Sequence, residues 1–517
     1  MNGAECLLHT LLRNGIELCF MNPGTSEMQF VAALDRVPGM RGVLGLFEGV
    51  CSGAADGYAR MTGKPAATLL HLGPGLANGL ANFHNARKAR SPIVSIVGEH
   101  STDHLKYDAP LSADISAFAR TVSTDVYTVA SPTTMGTAAA EAIAAALRPP
   151  GQISMLIVPA DFSWMEAGAP GMAIPRAPRR IPDAAQVRSV ARLLESYGNA
   201  AGLLLSGTAL LEAGLGAAGR VASSTGARVF ANRNAARMAS GRGCFCPERI
   251  PYFPEPAEAM LSGLQHLVLL EAQAPVSFFG YPGKRSQLAP DNCQIHVLAS
   301  PVEDGVAALE ALRDECNALR SAVPGEARPA VIASNDPLTA ELLGGIVAAL
   351  LPEGSIVSDE MISSGEAVWS SLVRAAPHQH LPITGGSIGQ GLPVALGAAI
   401  GCPDRKVVAL QADGSAMYTL QSLWTMAREQ LDVITVIFAN RRYRILDVEM
   451  RRTGAHGFGR IANDMVDIGR PDLDWVKLSE GMGVPATRAT TARQFAEQFG
   501  ASMRGRGPAL IEATLDK

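Results

Sequence analysis

The residues of this 517-residue chain with the clearest chemical potential are an aspartate and an asparagine at the ends of two apolar runs. Val407-Val408-Ala409-Leu410 reads as a buried strand, and Asp413, Gly414 and Ser415 follow it almost at once. Leu420, Leu423, Trp424 and Ala427 then fall at helical spacing, which predicts a helix with one apolar face. "DVITVIFAN" is a second buried strand ending at Asn440. A right-handed strand–helix–strand unit lays its two strands parallel, so Asp413 and Asn440 share one edge of the sheet. Ligands of open α/β sheets bind at that edge. One carboxylate and one amide oxygen suit Mg²⁺ or Ca²⁺. The free N–H groups of a helix beginning at Gly414-Ser415 suit a phosphate. A plain helix cap at Asp413 and a plain turn at Asn440 use the same residue types, and spacing alone leaves both readings open.

A second group lies near the start of the chain. Glu48 follows a short apolar strand and precedes a helix of small residues over 49–60, which must pack closely and so should bury the carboxylate. A buried carboxylate has to be protonated, paired or hydrogen-bonded to a ligand. His71 ends the strand "AATLLH" ahead of the turn "GPG", and "NPGTSE" (22–27) is a similar turn after the first strand. These turns crowd one sheet edge. A satisfied core histidine and a carboxylate at a helix start remain the plainer readings of His71 and Glu48 taken singly.

The elements that must position these residues are short apolar strands alternating with Ala- and Leu-rich helical stretches, the pattern of α/β proteins with parallel sheets. Two proline-rich segments, 168–183 and 321–337, read as surface linkers. They predict three doubly wound domains over 1–167, 184–320 and 338–517. The middle one has strand candidates at 201–207, 227–231, 266–272 and 293–299 and a helix around 208–225. Its first turn, "SGTALLEAGLGAAG", carries no clean GxGxxG, so a purely structural domain is expected there. Hydrophobic residues make up 47% of the chain and charged ones 18%, which suits large cores and excludes a disordered chain. With a net charge of −4 and no long basic run, nucleic acid is not an expected partner. No secretory signal and no bilayer-spanning apolar run are evident. The eight scattered cysteines are expected as free thiols of a cytoplasmic protein.

Taken together, the segments resemble the thiamine-diphosphate enzymes of the acetolactate synthase, pyruvate decarboxylase and benzoylformate decarboxylase superfamily. "ADGS…FAN" looks like the family's GDG…NN motif, with Ala412 and Ala439 departing from it at positions that do not hold the metal. "FEGVCSGAADGYAR" looks like the stretch bearing the catalytic glutamate, here Glu48. "LHLGPGLANGLAN" and "TGGSIGQGLPVALGAAIG" (384–401) look like the GPG segment and the cofactor loop. The resemblance covers nearly the whole length. It implies a pyrimidine-binding, a central and a diphosphate-binding domain. Thiamine diphosphate and Mg²⁺ are the implied cofactors. Asp413, Asn440 and Arg442 are implied as metal ligands, with Gly414 and Ser415 at the diphosphate. Gly386 is implied against the aminopyrimidine and Ile388 under the thiazolium. Glu48 would act on the pyrimidine N1′. The implied substrate is a 2-oxo acid, which loses CO₂ to give an enamine that is protonated to an aldehyde or joined to a second carbonyl. A homodimer or homotetramer with active sites at subunit interfaces is implied as well.

"NPGTSEMQF" and "ADGSAMYTLQSLWT" are most similar to the benzoylformate decarboxylase branch. This maps Thr25 onto a substrate-contacting serine and His71 onto a proton-transferring histidine. A second histidine of that branch has no counterpart in "APVSFFGYPGKRS" (274–286). Ile445 and Glu449, in the helix that shapes the substrate pocket, also depart from it, so a substrate other than benzoylformate is expected. Arg441, Arg442, Arg444, Arg451 and Arg452 form either a solvated basic face or a site for an anionic substrate tail. The resemblance leaves an acetolactate-synthase-type carboligase as the alternative. Such enzymes usually carry FAD in the central domain and a closing C-terminal tail. No closing tail is evident after the final strand "ALIEATL", which makes the carboligase the less expected reading; FAD is not expected, though not excluded.

Overall fold

The computed structural model describes residues 1–318, 327–455 and 459–515. Residues 321–326 of the second proline-rich segment lie outside them. The apolar runs form three sheets, almost entirely parallel, with helices on both faces, so the chain is α/β.

The first sheet has six strands: β1 (Leu18–Asn22), β2 (Arg41–Leu44), β3 (Ala66–Leu70), β4 (Ile93–Glu99), β5 (Asp125–Thr128) and β6 (Ile153–Pro159), in the order β2-β1-β3-β4-β6-β5. β3 and β6 are buried along their whole length, as continuous apolar strands of a two-sided parallel sheet must be. The central sheet is built from β7 (Ala201–Leu205), β8 (Arg228–Ala231), β10 (Glu248–Arg249), β11 (His266–Leu270) and β12 (Gln294–Ala299), in the order β10-β8-β7-β11-β12. β9 (Met238–Ser240) leaves this run and pairs antiparallel with β14 of the third sheet. That sheet comprises β13 (Ile356–Glu360), β14 (His378–Pro382), β15 (Val407–Ala412), β16 (Val433–Ala439), β17 (Ala486–Ala489) and β18 (Ala509–Thr514) with β9, in the order β17-β18-β16-β15-β13-β14-β9.

β15 and β16 run parallel in register, Ala412 opposite Phe438, which sets Asp413 and Asn440 at the same edge. The stretch between them is not one helix. Asp413–Ala416 forms a single turn, and a second helix spans Ser422–Arg428. Residues 417–421 are held by four-residue turns, and the Thr419 hydroxyl donates to the Gly389 carbonyl at 3.0 Å. That tertiary bond outweighs the helical spacing of the apolar residues.

First and third sheets meet through two helices of small residues, Glu48–Thr62 and Gly391–Gly401. A Cβ on Gly397 would lie 1.8 Å from the Ala54 carbonyl oxygen, so only glycine permits this backbone contact. Arg60 and Asp56, both fully buried, form an ion pair here, and the guanidinium also donates to Pro382 O (3.1 Å) and the Thr384 hydroxyl (2.9 Å).

Candidate active site

Glu48 is the first residue of its helix and is 8% exposed. Its Oε2 accepts from Asn78 Nδ2 at 3.0 Å, and its Oε1 faces Gly75 in the turn that opens the Leu72–Ala89 helix. His71 is the residue just before that helix. Its Nδ1 lies 2.9 Å from Oε2 of Glu27, and its ring rests against Gly24, beside Thr25. Glu27 is buried, its Oε1 has no hydrogen-bond partner among the described residues, and burial raises its pKa despite the neighbouring His71. Thr25, exposed at the start of a short 3-10 turn, and His71 thus belong to one cluster that abuts Gly75 and Glu48. Glu27 sits inside the "NPGTSE" turn, yet a lone glutamate there gives no sign in sequence that it will reach a histidine 44 positions away.

The loop carrying Gly386 and Ile388 is pinned from both sides. Asn85 Nδ2 donates to Ser387 O (2.7 Å), and Asn85 Oδ1 accepts from Ser387 N–H (3.2 Å). Glu360, the last residue of β13, accepts the N–H groups of Gly389 (2.7 Å), Gln390 (3.3 Å) and Gly391 (2.7 Å). Burial raises the Glu360 carboxyl to about 7 even with these three donors opposing it. Asn82 joins this loop to the Glu48 helix: its Nδ2 donates to Gly49 O at 2.8 Å and to Gly389 O at 3.2 Å. One chain therefore brings the start of the Glu48 helix and the half-buried Ile388 into one neighbourhood. Gly386 has φ +81°, and a Cβ there would strike the Phe278 ring at 2.5 Å, so the central segment packs directly on this loop. Glu360, Asn82, Asn85 and Phe278 are site residues that the motifs do not mark, although the two asparagines lie in or just after the "GPGLANGLAN" stretch.

Asp413 is 3% exposed and Asn440 is 6% exposed. Asp413 accepts from its neighbour Gly414 N–H (2.8 Å) and from Arg441 N–H (2.6 Å), while Asn440 Oδ1 accepts from Arg442 N–H (3.0 Å). Burial, with Asp472 adding to it, pushes the Asp413 carboxyl up to about 6. A buried carboxylate beside a buried amide oxygen fits a hard cation, which would relieve that penalty. The Ser415 hydroxyl donates to Ala412 O at 3.0 Å, and Gly414 lies under the Tyr443 ring. The Arg442 guanidinium is bound to Asp447 and Asn463, so only its backbone carbonyl, which already accepts from Arg444 N–H, can face a cation.

The helix Arg444–Arg452, with Ile445 half-buried near its start, is tied to the central segment. Glu449 accepts from the Tyr281 hydroxyl (3.0 Å), and Arg452 pairs with Glu255 and sits over Phe253 and Tyr281. Arg452 holds the Glu255 carboxyl down to about 2. Arg441 donates to Leu515 O at 2.9 Å. Three of the five clustered arginines are thus committed within the chain, which corrects a uniform solvated face.

The site and its three-sheet frame define a class. Residues 1–119 match the N-terminal, and residues 366–513 the C-terminal, thiamine pyrophosphate-binding domain of the thiamine pyrophosphate enzymes. The chain belongs to that family. It is 49% identical over 522 residues to a Mycobacterium tuberculosis protein named "Putative acetolactate synthase large subunit IlvX", covering 100% of this chain and 99% of that one. It is 27% identical to a benzoylformate decarboxylase of Pseudomonas aeruginosa, covering 97% and 96%. Among solved structures, a thiamine diphosphate-dependent 4-hydroxybenzoylformate decarboxylase of Rhodococcus jostii RHA1 superposes with a TM-score of 0.86 at 24% identity, covering 100% and 99% of the two chains. A benzoylformate decarboxylase of Polynucleobacter necessarius gives 0.84 at 21% identity, covering 100% and 99%. At these identities the superpositions speak for the fold alone. Among the described residues no helix is long and apolar enough to cross a membrane.

Proposed function

We propose that the chain is a thiamine-diphosphate- and Mg²⁺-dependent enzyme that decarboxylates a 2-oxo acid to an aldehyde without oxidation. When bound, thiamine diphosphate supplies the electron sink that makes loss of CO₂ possible. Asp413, Asn440 and the Arg442 carbonyl would hold Mg²⁺, with Gly414 and Ser415 at the diphosphate. The Gly386 carbonyl and the Ile388 side chain would orient the two rings, a proximity contribution that needs the loop held still. Glu48 would hold a proton at the pyrimidine N1′. Thr25 would meet the substrate carboxylate and Ile445 would bound the pocket.

The observation that carries the decarboxylase reading is the His71–Glu27 pair at 2.9 Å, beside Glu48. Releasing an aldehyde requires a proton donor, and an imidazole held in place by a carboxylate beside the site is placed to supply one. The 49% identity to a protein with an acetolactate synthase name favours a second reading, carboligation of two carbonyl compounds. A panel of 2-oxo acids, scored for CO₂, free aldehyde and coupled products with added aldehyde acceptors, tests both. CO₂ and aldehyde in equal amounts are expected; a coupled hydroxy-ketone as the main product supports the second reading instead. We further propose three domains near 1–167, 184–320 and 338–517, a cytoplasmic location, and a homodimer or homotetramer with sites at subunit interfaces.

A further inference from the structure

We propose that Glu271 is a built-in anion occupying the phosphate position of the central sheet, so that this domain holds no pyrophosphate-bearing nucleotide. In an open doubly wound sheet the ligand position lies outside the carboxyl ends of the strands, where the strand order reverses. In the order β10-β8-β7-β11-β12 the chain proceeds from β7 to one side through β8 and β10, and to the other through β11 and β12. The reversal therefore falls between β7 and β11. A nucleotide phosphate at that point is held by the turn after the first strand and by a helix N-terminus.

Both parts are present, and Glu271 fills the space between them. It follows β11 directly, and its side chain is 1% exposed. Its Oε2 accepts the N–H of Thr208, in the turn after β7, at 3.1 Å. Its Oε1 accepts the N–H of Gly305, the first residue of the helix Gly305–Glu315, at 3.0 Å, and also the Thr208 hydroxyl. Arg179 completes the set with an ion pair at 3.0 Å. Two backbone amides, a hydroxyl and a guanidinium around one buried carboxylate are the donors that a phosphate would use.

The fit leaves no room for a second anion. A Cβ added to Gly207, at φ +56°, would lie 2.1 Å from Oε2, and one added to Gly305 would lie 2.6 Å from Oε1. Glu271 itself has φ +53°, an unfavourable conformation for a residue with a side chain, sustained here by the bonds that its carboxylate makes. The same residue anchors the domain to its neighbours. Arg179 belongs to the segment leading in from the first domain, and Arg90, which follows the Leu72–Ala89 helix, donates to the Glu271 carbonyl at 3.3 Å.

The test uses the full chain saturated with thiamine diphosphate and Mg²⁺, and reads ligand at the central sheet rather than turnover. It is therefore independent of which reaction the enzyme performs. The purified wild type should show no visible flavin band, and its Tm should not move with FAD, ADP or inorganic phosphate. Glu271→Ala should lower Tm, because four donors lose their acceptor, and millimolar phosphate or formate should restore most of the loss. Glu271→Gln fills the same volume without charge, so its Tm should fall without rescue by either anion. Stoichiometric flavin or adenine nucleotide on the wild type, or a rise in its Tm with FAD or ADP, overturns the proposal. So does a Glu271→Ala protein that folds but is not rescued by either anion. Should Glu271→Ala fail to fold, the wild-type measurements decide alone.

Discussion

Asp413 and Glu48 are buried carboxylates to which the proposed function gives opposite roles, and each makes its own prediction. Asp413 has to be ionised to hold a cation, yet burial has raised it to about 6. Under the proposed metal assignment, protons and Mg²⁺ would compete for it in the weakly acidic range. The gain in Tm produced by thiamine diphosphate plus Mg²⁺ should be full above pH 7, shrink as pH falls through about 6, and vanish in Asp413→Ala at every pH. A gain that survives in Asp413→Ala counts against the metal assignment. At position 48, Gln can keep the hydrogen bond to Asn78 but cannot trade a proton. Glu48→Gln should lose at least about 10²-fold in kcat, a typical loss for a positioned acid or base, while cofactor binding stays measurable by fluorescence quenching. Wild-type turnover in that variant removes Glu48 from the chemistry.

Elements hold these residues through bonds that leave little trace in sequence. Asp413 and Asn440 were legible because a polar residue terminating a long apolar run is a local signal, and so was Glu48 ahead of a small-residue helix. Glu360 ends β13 in the same manner, but "SDEMISS" offers no reason to pick it, since its partners are three backbone N–H groups about 30 positions on. The break in the helix after Asp413 was equally hidden, because Thr419 answers to Gly389 and not to its own helix. The Glu360 clamp has a testable pH signature. Its carboxyl is raised from 4.5 to about 7. Stability from this group is thus full below about pH 4.5 and lost as pH rises through 7, by roughly 3 kcal/mol at most for a shift of about 2.5 units. The loop geometry needs the opposite state, because an ionised carboxylate accepts all three N–H groups. Activity should therefore have an acid limb near pH 7 in the wild type, even though the fold is less taxed there. Glu360→Gln should lower kcat, remove that limb, and flatten the fall in Tm between pH 5 and 7. An unchanged kcat–pH profile in Glu360→Gln would show that the clamp does not govern the loop.

At the scale of the molecule, the alternation of strands and helices made the α/β class legible, whereas the contacts between sheets were not. β9 pairs with the third sheet although it follows β8 of the central one, and nothing in "MAS" marks that exchange. The junction of first and third sheets depends on glycine contacts and on one buried ion pair, Asp56 with Arg60, reinforced by Ser91. Such a pair is weak evidence of net stabilisation, because two charges have been taken out of water to form it. Removing one partner is a different matter. Asp56→Ala leaves the Arg60 guanidinium buried with the Pro382 and Ala236 carbonyls and the Thr384 hydroxyl as acceptors but no counter-charge in contact, and should cost about 3–5 kcal/mol. The apolar double variant Asp56→Leu/Arg60→Met leaves no buried charge and should recover much of that loss. The comparison is best made as the half-life of activity at a fixed elevated temperature, since a chain of this size need not unfold reversibly. If the double variant is as short-lived as Asp56→Ala, the Arg60 bonds to Pro382 and Thr384 are what join the two sheets, and the pair serves to hold that guanidinium in place.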